Sequence, residues 1–314
     1  MIDFRYHLIS LIAVFLALGL GILMGSVVLS EKYVQRLENR VAQFEEEVDA
    51  RRGEISDLND RLDAFQEYAV ESQPRLIDGA LAGEEVVLVQ TDGTDEAFLE
   101  GMAEAVEEAR GTLVSTITLT DRFALTDQPE RDGLAAILGS VSTEAMDLRD
   151  EAGTQLGERI AAVAASRVDA TFGDAAAQRL TTLTRALEEE GFLGVSSSAE
   201  TFVSPGASFI VAGGSTEERF EGAVDLTKAL ALGLSDRESA VMVAEPSTST
   251  WELVQAVRDD GSLSAAVSSA DHAETVPGRV AVVLGLEMTI DGLLGHYGVA
   301  DGAAGVIPPP TPRA

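Results

Sequence analysis

No cysteine occurs among the 314 residues, which excludes disulfides, thiolate metal sites and a thiol nucleophile. Imidazole is almost as scarce, since His7, His272 and His296 are the whole supply. Lysine is rarer still: Lys32 and Lys228 stand beside twenty arginines. Basic residues number 22 against 53 acidic ones, a formal net charge of −31, and −25 of it falls beyond residue 73. A nucleic-acid binder needs basic surface against phosphate, so nucleic acid is excluded as a partner. The same acidity disfavours docking of the C-terminal region on anionic lipid.

What the chain does have begins near its N-terminus. Residues 8–29 form an apolar run of 22 without one charge. As a helix rising ~1.5 Å per residue, such a run spans a ~30 Å hydrocarbon core. A secretory signal carries an apolar core of about 7–15 residues and a small-residue cleavage site. Here Gly21 and Gly25 are followed by more apolar chain, Val27-Val28-Leu29, so residues 1–30 read as a retained signal anchor. The run is apolar all round, unlike the single stripe of a soluble helix. Arg5 precedes it, while Lys32, Arg36 and Arg40 follow. That count points the C-terminal side to the cytoplasm, but long domains escape the rule, and topology stays open. Ala17, Gly21 and Gly25 recur every four residues, a spacing that lets two membrane helices approach closely.

Heptads start as the apolar run ends. One series reads Val34, Val41, Val48, Ile55, Leu62 and Ala69, the other Leu37, Phe44, Arg51, Leu58 and Phe65. Only Arg51 breaks the seam. In a parallel dimer the flanking positions pair Arg40 with Glu45 and Glu47 with Arg52, and no like charges meet. Residues 31–73 are therefore expected to form a parallel, in-register homodimeric coiled coil, which Pro74 closes.

Beyond it the pattern is α/β, with a mostly parallel sheet expected. Residues 85–90 and 113–119 read as strands flanking a helix over 95–110, with Asp92-Gly93 as a turn and Gly111 as a stop. Residues 131–190 look mainly helical. A second series follows: strands at 208–212, 240–244 and 265–268, helices to 232 and over 249–258, and an apolar run at 280–286 of either type. Ser215 with Glu218 reads as a capping box. The head is divided into units 78–200 and 201–305, as two small sheets or one compound sheet. A disordered, proline-rich tail follows at 306–314.

Candidate chemistry is sparse. Gly213-Gly214-Ser215 lies between strand and helix, where amides can cradle phosphate, but GxGxxG and GxxxxGK[ST] are both missing. No nucleophile elbow is visible, and no pair among so many carboxylates stands out, so no enzyme is expected. For metal, a soft or borderline ion such as copper would want imidazole, thiolate or thioether donors. His272 and His296 are the candidate ligands, with Asp271 and Asp291 near them. No HxxxH, HxH or MxxM spacing supports them.

The two ends of the chain carry a resemblance. The opening Met1-Ile2-Asp3-Phe4-Arg5-Tyr6-His7-Leu8-Ile9-Ser10-Leu11 is similar to the start of the mycobacterial copper transport protein B family. So are Ser268-Ser269-Ala270-Asp271-His272-Ala273-Glu274, Gly278-Arg279-Val280, and the motif Gly295-His296-Tyr297-Gly298. The resemblance implies an actinobacterial cell-envelope protein with its N-terminus inside and its head outside, connected with copper efflux and homeostasis. It also implies a second role for some members: a membrane-anchored coiled coil that helps control a septal peptidoglycan hydrolase in cell separation. The partners expected are a second copy of the chain, the membrane, and proteins of the envelope or of cell separation.

Overall fold

The computed structural model describes residues 4–168, 170–197 and 202–309. Its contacts divide the chain into a stalk unit ending at Glu67 and a head unit from Tyr68 onward.

Helix α1 (Phe4–Ile77) runs for 74 residues. Its segment Arg5–Gly25 is long and apolar enough to cross a membrane, and none of that segment is buried within the chain. Leu8, Ile12, Phe15 and Leu23 stand exposed on different sides, as a lipid-facing helix requires. Pro74 does not end the helix, contrary to expectation; it sits inside, one turn from the end. Proline removes one amide donor and crowds the preceding turn. Burial compensates, because Ile77 and Leu81 are completely covered. Gln73 adds two ties, donating to Glu108 at 2.6 Å and accepting from Arg279 at 3.2 Å.

The head is one seven-stranded sheet in the order β3-β2-β1-β4-β5-β6-β7. The strands are β1 (Glu85–Thr91), β2 (Thr112–Leu119), β3 (Leu193–Ser197), β4 (Ser208–Ala212), β5 (Val241–Ala244), β6 (Ser268–Ala270) and β7 (His296–Tyr297). All pairings are parallel except β2 with β3. Because β1 is hydrogen-bonded to β4 from Val86–Ser208 to Gln90–Ala212, the sheet is continuous across 200/201. The division into units 78–200 and 201–305 gives way to a single compound sheet. The antiparallel β3 and the two-residue β7 are edge strands without a sequence signal of their own.

Helices cover both faces, which is why the inner strands read as unbroken apolar runs. Val87, Val89, Ile117, Phe209, Val211, Val241 and Val243 face α3 (Gln128–Leu138), α4 (Ala145–Ala164), α5 (Ala170–Glu189), α6 (Ala223–Ser235) and α7 (Leu253–Asp259). Their neighbours Val86, Leu88, Ile210, Ala212, Met242 and Ala244 face α2 (Glu96–Glu108), α8 (Val276–Ile290) and the end of α1. The ambiguous run at 280–286 is thus helix, started by the Thr275 side chain accepting from the Gly278 amide and by Pro277 in the first turn. The capping box does not form. Ser215 accepts instead from the Glu217 amide, and α6 begins only at Ala223, after Gly222 at φ +80°. Helix α7 likewise starts at Leu253, later than expected.

Helices α4 and α6 touch backbone to backbone through glycine. A Cβ on Gly157 would lie 2.5 Å from the Leu230 carbonyl oxygen and 2.8 Å from the Leu234 nitrogen. At Gly153 and Gly233 the closest approach is 2.7 Å, again to a backbone oxygen.

Of the tail expected to be disordered from 306, Pro308 is buried. Residues 310–314 lie outside the described residues.

Candidate functional site

At the carboxyl end of β6 the chain leaves the sheet through Asp271 and His272. Asp271 is 7% exposed. Its Oδ1 accepts from His272 Nδ1 at 2.6 Å and from the amides of Val299 and Ala300 at 2.8 and 3.2 Å. Its Oδ2 is paired with Arg258 Nη1 at 2.8 Å, although no donor is well aligned to it. The buried Arg258 donates further to the Tyr297 carbonyl (2.7 Å), the Asp301 carbonyl (3.1 Å) and Ser269 Oγ (3.2 Å). Asp271 and Arg258 together fasten the C-terminal turn to the sheet.

This arrangement accounts for the motif at 295–298. His296 and Tyr297 pair with Ser269 and Ala270 as β7. At Gly295 a side chain would strike the Tyr297 hydroxyl, and at Gly298 (φ +123°) it would strike the Asp271 carboxylate. Asp271, Gly295, His296, Tyr297 and Gly298 do come together, as a latch. Arg258 completes it, a role its exposed-looking neighbourhood, Arg258-Asp259-Asp260-Gly261, does not advertise.

The two candidate ligands fare differently. His296 has both ring nitrogens engaged, Nδ1 with Ser269 Oγ at 2.9 Å and Nε2 with the Ser264 carbonyl at 3.1 Å. Burial lowers its pKa, opposed by the Ser264 carbonyl and reinforced by Arg258. His272 keeps its Nε2 free of hydrogen bonds among the described residues, on a side chain 38% exposed. In the neutral tautomer that donates Nδ1–H to Asp271, the lone pair lies on Nε2. Burial pushes the Asp271 carboxyl up, but the Val299 amide, Arg258, His272 and the Ala300 amide outweigh it and hold it below its ordinary value. His272 also adopts φ +53°, a left-handed conformation costly for this residue. Thr275 fixes it, donating to the His272 carbonyl through both its amide (3.0 Å) and its hydroxyl (2.7 Å). The expected convergence of His272, His296 and Asp291 is not formed. Asp291 is the C-cap of α8, and among the described residues no group of three or more His, Asp or Glu side chains is arranged to hold a metal.

The other place to look is the switch point between β1 and β4, where open α/β sheets usually bind ligands. It is filled from within. The indole of Trp251, 2% exposed, packs over Gly93 and Gly213. Its Nε1 donates to the Glu217 carbonyl at 3.0 Å, and Arg219 donates to the Trp251 carbonyl at 2.5 Å. Gly213-Gly214-Ser215 also precedes no helix start, so it presents no phosphate cradle.

On the stalk, Val34, Leu37, Val41, Phe44, Val48, Ile55, Leu58, Leu62 and Phe65 are all 44–71% exposed. Ala17, Gly21 and Gly25 are exposed as well, and a Cβ on either glycine would meet nothing within 4 Å.

Fold and site together define an α/β protein: an N-terminal helix long and apolar enough to cross a membrane, joined to a head with a mostly parallel sheet, latched at its C-terminal edge. The chain belongs to the family described as Copper transport outer membrane protein, MctB, which it matches over residues 1–308. It is 28% identical to the Copper transporter MctB of Mycobacterium bovis and to that of Mycobacterium tuberculosis, over 98% of this chain and 99% of each relative. The Mycobacterium leprae Copper transporter MctB is 26% identical over 98% of this chain and 100% of its own length. The chain is thus similar from end to end to cell-envelope proteins related to copper transport.

Proposed function

We propose that this chain is a single-pass, non-catalytic cell-envelope protein acting in copper efflux and homeostasis. Its N-terminus is cytoplasmic, its head lies outside, and its stalk pairs as a parallel homodimer. The observation that carries the copper reading is the end-to-end similarity to relatives named copper transporters. One apolar helix per chain makes a pore only by oligomerising, because lipid tolerates no unpaired backbone. The chain therefore supports copper movement by positioning the head. Deleting the gene and restoring the full-length chain tests this. Copper tolerance is expected to fall and then recover; unchanged tolerance would remove the reading.

A second reading is favoured by the exposed seam. Nine large apolar side chains in heptad register call for a partner helix, and a paired stalk suits a scaffold that regulates a septal peptidoglycan hydrolase. Chained cells with normal copper tolerance would favour it. The pairing itself is checked by Val48→Cys, which supplies the sole thiol of the chain. Oxidation in membranes is expected to convert most of this variant to covalent dimer. Glu46→Cys, on the outer face of the same helix, is expected to stay monomeric. Equal crosslinking of both would sink the parallel seam.

A further inference from the structure

We propose that Arg51 limits the stalk to two strands; this rests on the homodimeric stalk proposed above. Helix α1 is unbroken across residues 34–69, which sets Arg51 in one stripe with Phe44, Val48, Ile55 and Leu58. It is the only charged residue in either heptad series. Its side chain is 72% exposed, and its Nη2 donates to Glu47 Oε1 at 3.3 Å, one turn earlier on the flank of the seam. The guanidinium therefore has a route from the seam to water, with its aliphatic stem left among apolar neighbours. Arg52 is held separately, by Asp49 at 3.4 Å, so Glu47 serves Arg51 within the chain.

The cost of that charge depends on how many helices meet. In a parallel, in-register pair the two Arg51 fall in one layer and leave it on opposite flanks, each toward its own Glu47. Water reaches both flanks, so neither charge is desolvated, and an exposed ion pair of this kind contributes little by itself. A third or fourth helix closes those flanks. Three or four guanidiniums would then share one apolar layer, adding repulsion between like charges to the desolvation of each. The rest of the seam discriminates less. Val41, Val48 and Ile55 in one series with Leu37 and Leu58 in the other favour two strands, but Phe44, Leu62 and Phe65 follow no such rule. Strand number bears on function, since two membrane helices cannot enclose an aqueous path between them. Arg51 thus keeps a pair from growing into a bundle.

The test uses the full chain purified in detergent micelles, with its mass read by light scattering after subtraction of bound detergent. The parent is expected at two chains. Arg51→Ile fills the layer with a residue that favours three or more strands, and about a third or more of the protein is expected above two chains. Arg51→Lys keeps the charge and is expected to stay at two. Val48→Cys in the same micelles reports pairing as such. Arg51→Ile that remains wholly at two chains, or Arg51→Lys that behaves like Arg51→Ile, overturns the proposal and leaves the homodimer standing. A parent above two chains overturns both. A parent at one chain, without a Val48→Cys crosslink, removes the homodimer reading and this proposal with it.

Discussion

Asp271→Ala is expected to destabilise the head by about 3–5 kcal/mol, the usual cost of removing one partner from a buried ion pair. The substitution strands the Arg258 guanidinium, whose side chain is 3% exposed, and leaves the Val299 and Ala300 amides without their acceptor. Residues 298–305 should then detach from the sheet edge before the core opens. Trp251, the single tryptophan and almost wholly buried, reports global unfolding of the head in a urea titration. Asp271→Asn keeps an acceptor for the amides and is expected to lose less. The effect depends on pH in a definite direction. Because the folded state holds the Asp271 carboxyl below its ordinary 3.8, its stabilisation is complete above that value and fades as pH falls through the lowered one. The gap between parent and Ala variant should therefore close in acid. A gap that does not narrow as pH falls below 3.8 would show that the charge of Asp271 is not what the latch uses.

Gly157→Leu is expected to abolish the native head. Even the first carbon of a side chain would sit 2.5 Å from the Leu230 carbonyl oxygen, and the obstacle is backbone that cannot rotate away. Helices α4 and α6 would have to separate, breaking the largest helix–helix contact in the head and opening the core around Leu156, Ile160, Leu226 and Leu230. Overpacking commonly costs about 1–3 kcal/mol, and a side chain of this size at a backbone contact exceeds that range. Gly157→Ala should fall within it, despite the ~1 kcal/mol that alanine gains in helix propensity. Gly133, in α3, supplies the contrast. A Cβ there meets nothing within 4 Å, so Gly133→Ala is expected to stabilise by about 0.5–1 kcal/mol. Thermal unfolding of the three variants checks the ordering.

These contacts mark the limit of what the residues alone disclose. The apolar run at 8–29, the strand at 85–90 and the helix after Asp95 are local patterns, and each is legible because one stretch carries the whole signal. Pro74 misleads because its helix-breaking tendency is local, whereas the burial of Ile77 that overrides it is not. The run at 280–286 is ambiguous since α8 is covered on most sides and has lost the polar stripe that marks a helix. Strands β3 and β7 depend on neighbours supplied by distant segments. The site divides in the same way. Asp271, His272, His296 and the two glycines stand out by their chemistry. That His296 is spent on Ser264 and Ser269 while His272 bonds through Nδ1 alone follows from the folded structure. The filling of the switch point by Trp251, 38 residues from Gly213 and 158 from Gly93, has no sequence signature either.

The pairing of β1 with β4 also fixes the order in which the head can be completed. Strand β1 occupies the middle of the sheet, yet one of its two neighbours is more than a hundred residues downstream. During synthesis the chain therefore carries an interior strand with the apolar core Val86–Val89 and an open flank until residues 208–212 have emerged. Contacts this remote in sequence are slow to form, and the unpaired flank is aggregation-prone meanwhile. A chain terminated near residue 200 should accumulate as insoluble material rather than as a smaller folded unit, and folding of the head would benefit from a holding chaperone until its second half arrives.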